Sequence, residues 1–309
     1  MVASARTLQV ASAAALLAIA MPFAPEARAQ ASVPEEGGGS WTLAGQNVIV
    51  HDHTDYLGIR GQFGKTDTQM LFLGLDYGLT DKLAVNVGVP YVRAKYVGTM
   101  PHLHGAFPGH ENDPVIDDGR YHGGLQDLSL GVRYQLWTDP VLVTPFIYMG
   151  YPSRDYPFRG HSAIGKRLRR VELGTYVAKE LEAPLDAFYL QASYGYSISE
   201  ETEGISIRSS KFDLGVDYLL MPRLSVRVFA TWLYTHNGLN VPVDFPPAPD
   251  PRFYAHDRLL RTEMLNLGGG FSFMLSPGYT LFGTWLTTTD SKNAHAIHNS
   301  FTLAISRSF

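Results

Sequence analysis

From residue 46 onward, apolar and polar residues alternate with a period of two, in segments of about ten residues. Leu83, Val85, Val87, Val89 and Tyr91 share one face of the clearest segment, with Ala84, Asn86, Gly88 and Pro90 on the other. Leu128, Leu130, Val132, Tyr134 and Leu136 repeat the pattern against Asp127, Ser129, Gly131, Arg133 and Gln135. Such alternation gives a strand one apolar and one polar face. It predicts twelve strands, over about 46–56, 68–78, 83–92, 124–137, 141–151, 169–182, 187–198, 208–220, 224–235, 262–275, 279–288 and 300–309.

The gaps between these segments are as informative as the segments. Five pairs are joined by short runs of turn formers, among them Thr138-Asp139-Pro140, Met221-Pro222-Arg223 and Ser276-Pro277-Gly278. The intervening gaps are longer, above all 93–123 and 236–261, which are rich in Pro, Gly, His and Asp. Short turns at one end and long loops at the other suit a transmembrane antiparallel β-barrel of about twelve strands. The chain closes on Phe301, Leu303, Ile305 and Phe309 at alternate positions, the form of a terminal strand offered to the barrel-insertion machinery through Phe309. Tyr77, Tyr91, Tyr134, Trp137, Tyr194, Tyr218 and Trp232 fall near strand ends on the apolar faces, as interfacial girdles do. The class is all-β.

The N-terminus sets the compartment. Arg6 precedes an apolar run from Leu8 to Met21 broken only by Gln9 and Ser12, and Ala27-Arg28-Ala29 stands before Gln30. This order predicts a cleaved signal peptide over residues 1–29 and delivery to the Gram-negative outer membrane. Residues 30–45, with Pro34 and Gly37-Gly38-Gly39, read as a flexible tail, and 46–309 as the barrel. With no Cys, a disulfide scaffold is ruled out, and a net charge of -4 argues against nucleic acid. A mean hydropathy of -0.06 excludes a bundle of membrane helices, though not a barrel.

If the apolar faces meet lipid, Asp76, Asp127, Arg133, Arg170, Glu172, Lys211, Asp213, Asp217 and Arg227 point into the lumen. Charges of both signs suit either a conducting interior or cross-lumen pairs. The eleven histidines lie in or beside the long gaps. His51 and His53 would share one strand face, and His102 and His104 sit in the longest gap, so these four are candidate ligands for zinc, copper or nickel. Loop aromatics such as Phe107, Phe245 and Tyr254 are candidates for a solute-capture site. The sequence holds no HExxH, GxSxG or Walker pattern, and no cofactor or enzyme activity is expected.

Two motifs carry a family resemblance. Gly78-Leu79-Thr80-Asp81 feeds a strand that ends in Pro90-Tyr91, and Gly123-Gly124-Leu125-Gln126-Asp127-Leu128 opens the next after a long gap. Both resemble the outer-membrane transporters of the phenol meta-pathway degradation family, with Gln126 where that family has glycine. The resemblance implies passive uptake of small hydrophobic or aromatic solutes and supplies no binding residues. A metal-handling outer-membrane protein that uses the histidines is the alternative.

Overall fold

The structure, a computed structural model, describes residues 31–99, 102, 107–244, 246–247 and 249–309. The expected signal peptide, His104 and Phe245 lie outside the described residues. The strands are β1 (Gly39–Thr54), β2 (Arg60–Thr80), β3 (Leu83–Gly98), β4 (His122–Leu125), β5 (Asp127–Tyr134) and β6 (Leu142–Pro152). They continue with β7 (Arg170–Glu180), β8 (Phe188–Thr202), β9 (Ile205–Met221), β10 (Leu224–Thr235), β11 (Glu263–Ser276), β12 (Tyr279–Lys292) and β13 (Ala294–Ser308). Two single-turn helices, α1 (Pro251–Tyr254) and α2 (His256–Leu259), lie between β10 and β11.

Neighbouring strands pair antiparallel, and β1 pairs with both β2 and β13, so the sheet closes into a barrel. β4 and β5 both pair with β3 and make one stave, broken at Gln126. Pro90 of β3 is the physical reason for the break. It has no N–H to donate, and only its carbonyl is used, accepting from the Gln126 backbone N–H at 3.0 Å. The barrel therefore has twelve staves.

Every stave that the alternation predicts is present, but several run further at the loop end. β2 starts at Arg60 rather than 68, and β13 starts at Ala294 rather than 300. The added stretches, such as Arg60–Asp67, have no apolar face because they rise beyond the lipid band, so periodicity gives no sign of them. Three of the expected long gaps shrink accordingly to 55–59, 203–204 and Asn293, and three long loops remain, 99–121, 153–169 and 236–262. They lie at the end of the barrel opposite the chain termini.

The outward face is apolar. Leu71, Leu73, Leu75, Leu130, Ile147, Leu173, Leu214, Val228 and Leu303 are exposed, which fits a surface solvated by lipid rather than water. Phe309 is exposed beside them, and Arg307 lays its guanidinium 5.3 Å from the Tyr279 ring centre.

The N-terminal stretch departs from the flexible tail. β1 begins at Gly39 rather than 46, and residues 31–38 cross the terminal end of the barrel. Ala31 packs among Phe146, Tyr176, Ala178 and Tyr189 on the far wall. Its carbonyl accepts from Thr144, that of Ser32 accepts from Arg133 at 3.1 Å, and the Val33 N–H donates to Gln135 at 3.2 Å. On the near side the Gly37 N–H donates to Gly78 at 3.0 Å. A Cβ at Gly78 would sit 2.2 Å from the Glu35 carbonyl oxygen, which explains why the Gly-Leu-Thr-Asp turn opens on glycine. Backbone polar groups decide the outcome here, and hydrophobic periodicity is blind to them.

Candidate functional site

The lumen has two unlike walls. Along β5 to β10 the inward side chains include charged residues, and these are paired. Arg133, only 3% exposed, is paired with Asp76 across β3. Arg170 lies 3.9 Å from Glu172, and Lys211 lies 3.1 Å from Asp213. Arg227 grips Asp217 with two bonds of 2.8 and 3.1 Å, and Gln191 donates to the same carboxylate at 2.6 Å. Asp127 accepts from the Tyr156 hydroxyl and so anchors loop 153–169. The nine charged candidates thus fall into four ion pairs and one carboxylate–tyrosine contact. Paired in this way, the charges fill and brace the wall.

The arc formed by β11, β12, β13 and β1 carries no charge on its inward face across the lipid band. Thr42, Gln46, Asn266, Thr284, Ser300 and Thr302 line it, with Ala44, Ala304 and Leu286 between them. Their hydroxyls and amides bond to one another, as in Gln46 to Thr302 at 3.1 Å and Thr288 to Asn266 at 2.7 Å. On the outward side of the same strands, Gly45, Gly269 and Gly283 leave a groove of about 680 Å³ flanked by the exposed Phe271, Trp285, Phe301 and Leu303, and it faces lipid rather than the lumen. Phe72 of β2 and Phe229 of β10 lay their rings over Gly88 and Gly268 at the two edges of the arc.

At the loop end the three long loops pack into the barrel and meet in a buried polar junction. Asp117 is its organiser. Its carboxylate accepts from the His102 backbone N–H at 3.1 Å and contacts His102 Nδ1 at 3.0 Å. It also accepts from the backbone N–H groups of His161 at 3.0 Å and Ser162 at 2.9 Å. Burial alone would raise the Asp117 carboxyl, but the His102 hydrogen bond and the charge on His161 outweigh it and hold it at about 2. Asp257 of α2 accepts from the Gly160 N–H at 3.2 Å and pairs with His256 at 3.1 Å. Burial pushes its carboxyl up, but the adjoining His256 charge and hydrogen bond bring it well below the ordinary carboxylate range. Gly160 sits at φ 135°, a backbone conformation that side chains rarely adopt, and a Cβ there would lie 2.9 Å from Ile116.

Aromatic contacts close the junction from above. Tyr254 stacks on His110 with ring centres 3.7 Å apart, touches Phe107 and Phe158, and donates to Asp113. Burial and the Asp113 contact push its phenol up to about 12. Phe107 and Tyr254, candidates for capturing solute, thus serve to tie the loops together. Asn293, at the β12–β13 turn, holds loop 236–262 by accepting from the Val241 N–H at 2.8 Å and donating to the Arg261 carbonyl at 3.0 Å.

The four histidine candidates part company. His51 and His53 do not share a face. The β1–β13 register slips at His51 and at His298, and each bulge turns its histidine out of the ladder, where the two rings meet edge to face at 5.0 Å. His53 instead faces inward, directly opposite His295 on β13, with ring centres 3.9 Å apart. His161 stands 5.0 Å from His53, and His102 lies 4.9 Å from His161. The sequence reading missed His161, His256 and His295 as partners, together with Asp117 and Asp257. The His53–His295 pairing exists only because the first and last strands join, a closure that no local pattern reports. Other histidines pair locally: His110 with Asp113, His122 with Asp118, and His236 with Ser210.

No protein-family model matches the chain, and no curated protein matches it. Solved structures do. An outer-membrane channel from Pseudomonas putida F1 is similar with a TM-score of 0.69 at 14% identity, over 91% of this chain and 98% of that one. The translocator domain of the autotransporter NalP from Neisseria meningitidis gives a TM-score of 0.51 at 10% identity, over 89% of this chain and 90% of that one. The NanC porin gives 0.50 at 10% identity, over 86% and 98%. At such identities the likeness is one of fold. The chain has the closed twelve-strand barrel of outer-membrane proteins, in agreement with the transporter resemblance of its sequence.

Proposed function

We propose that the chain is a Gram-negative outer-membrane channel for passive uptake of small hydrophobic or aromatic solutes. It is exported by a cleaved signal peptide over residues 1–29, seated in outer-membrane lipid and presented to the insertion machinery through the exposed Phe309. The observation that carries the reading is the uncharged inward face of β11, β12, β13 and β1, beside a wall whose charges are already paired. A charged solute entering that arc would lose water without gaining a counter-ion, whereas an apolar one meets methyl groups, glycine backbone and the Phe72 and Phe229 rings. The metal-transport alternative is not adopted, because the fold is similar to channels and the histidines are packed into the loop junction.

Uptake by cells that lack and then regain the chain tests the proposal, with an aromatic alcohol and a sugar of similar size as paired solutes. Aromatic flux should rise several-fold on restoration, with little gain for the sugar. Thr302→Lys, which puts a charge in the arc, should reduce the aromatic flux while the barrel still inserts. Equal rates for the two solutes, or no dependence on residue 302, would count against the assignment.

A further inference from the structure

We propose that His53, His161 and His295 bind one transition-metal ion of the zinc class, resident in the barrel, which staples loop 153–169 to the β1–β13 wall. One ring nitrogen from each histidine lies within 4.8 Å of the other two. Small rotations of the rings bring such atoms to the roughly 2.1 Å bond length of a zinc–imidazole site. Two of the ligands are cross-strand partners on rigid strands, and the third is fixed by its neighbours. Loop segment 160–162 is held from both sides, through Asp117 to His161 and Ser162 and through Asp257 to Gly160.

The second observation is an unmet need. His53 is 9% exposed and His295 6%, yet His53 Nδ1 and His295 Nε2 are buried with no hydrogen-bond partner. A buried polar atom without a partner is costly, and two imidazoles side by side cannot cure it for each other by taking up protons, because the like charges would repel. A shared cation uses the lone pairs directly. Three imidazoles suit zinc, copper, nickel or cobalt and disfavour magnesium and calcium, which prefer oxygen. The carboxylates of Asp117 and Asp257 stand behind the site, add negative charge and orient its loop ligand, the usual work of groups around a metal. The neighbouring trio of His102, His256 and Asp257 is a weaker candidate, since His256 already contacts the Phe253 carbonyl through Nδ1 and Asp257 through Nε2.

The ion is a fixed part of the closed loop junction, and its presence does not depend on which solute the barrel passes. The test uses the whole mature protein, stripped with a chelator and titrated with Co²⁺ and then Zn²⁺ alone. One equivalent of Co²⁺ should bind with the visible absorption of a nitrogen-ligated site, and Zn²⁺ should displace it. Amides around His161 should gain protection from hydrogen exchange. His161→Ala, a loop change, should weaken binding by more than roughly 100-fold, beyond what loss of an orienting partner costs. His295→Gln should do the same, and if that strand variant does not insert, His161→Ala decides alone. His51→Ala, at the outward bulge, should leave binding unchanged. No stoichiometric binding by the unaltered protein, or binding that survives His161→Ala, would overturn the proposal, as would loss of binding in His51→Ala.

Discussion

Packed chain enters the lumen at both ends of the barrel, and the two ends are built from different chemistry. At the terminal end a single segment, 31–38, crosses to the far wall and is held by Arg133, Thr144 and Gln135 amid Phe146 and Tyr176. The junction there is mostly aromatic and hydroxyl, with one ion pair at its centre. At the loop end three loops converge on two buried carboxylates and a column of histidines. One closure is thus set by backbone hydrogen bonds and aromatic packing around one ion pair, and the other by buried carboxylates and histidines.

Four changes sharpen that contrast, in falling order of size. Arg133→Ala leaves the Asp76 carboxylate in the lumen without its cation and frees the Ser32 carbonyl, and should cost about 3–5 kcal/mol. Denaturant unfolding in lipid would measure it, and proteolysis of the N-terminal segment should speed up in the same variant. Asp117→Ala leaves three buried backbone donors unmet and should cost about 2–3 kcal/mol locally. Hydrogen exchange should then accelerate at His102, in 107–117 and in 160–162, and hardly at all in the barrel strands.

Acid gives the third case. The Asp117 carboxyl is depressed to about 2, so its contribution is complete above the ordinary carboxylate value near 4 and is lost as the pH falls through that window. Loss of about 2 kcal/mol should show as exposure of the loop junction between pH 4 and 2, ahead of any loss of strand signal. The smallest effect belongs to Tyr254→Phe. It keeps the ring on His110 and Phe107 but removes the bond to Asp113, and should cost about 1 kcal/mol by thermal unfolding.

The same contrast explains how much was legible in the sequence. Alternation such as Leu83 to Tyr91 marks a strand because lipid and lumen impose a period of two, so all twelve staves could be read, along with the inward charges Asp217 and Arg227 that later prove to be paired. The strand stretches beyond the lipid, such as Arg60–Asp67, carry no such constraint and were invisible. The segment 31–38 read as loose because its fixings are backbone carbonyls and N–H groups. His53 and His102 were singled out by residue type and by their i, i+2 spacing to His51 and His104. His295 and His161 joined them only through barrel closure and loop folding, and the bulge at His51 broke the face that spacing implied. Long-range register decides the loop-end site, and no window along the chain contains it.

The most direct measurement sets ionic current against aromatic flux in one reconstituted preparation. A lumen entered by packed chain at both ends, with an uncharged arc between, should pass the aromatic solute while carrying little steady current. Asp117→Ala should then raise the current by loosening the loop end. A large, steady, unselective current in the unaltered protein, unchanged by Asp117→Ala, would contradict both the closure and the uncharged path.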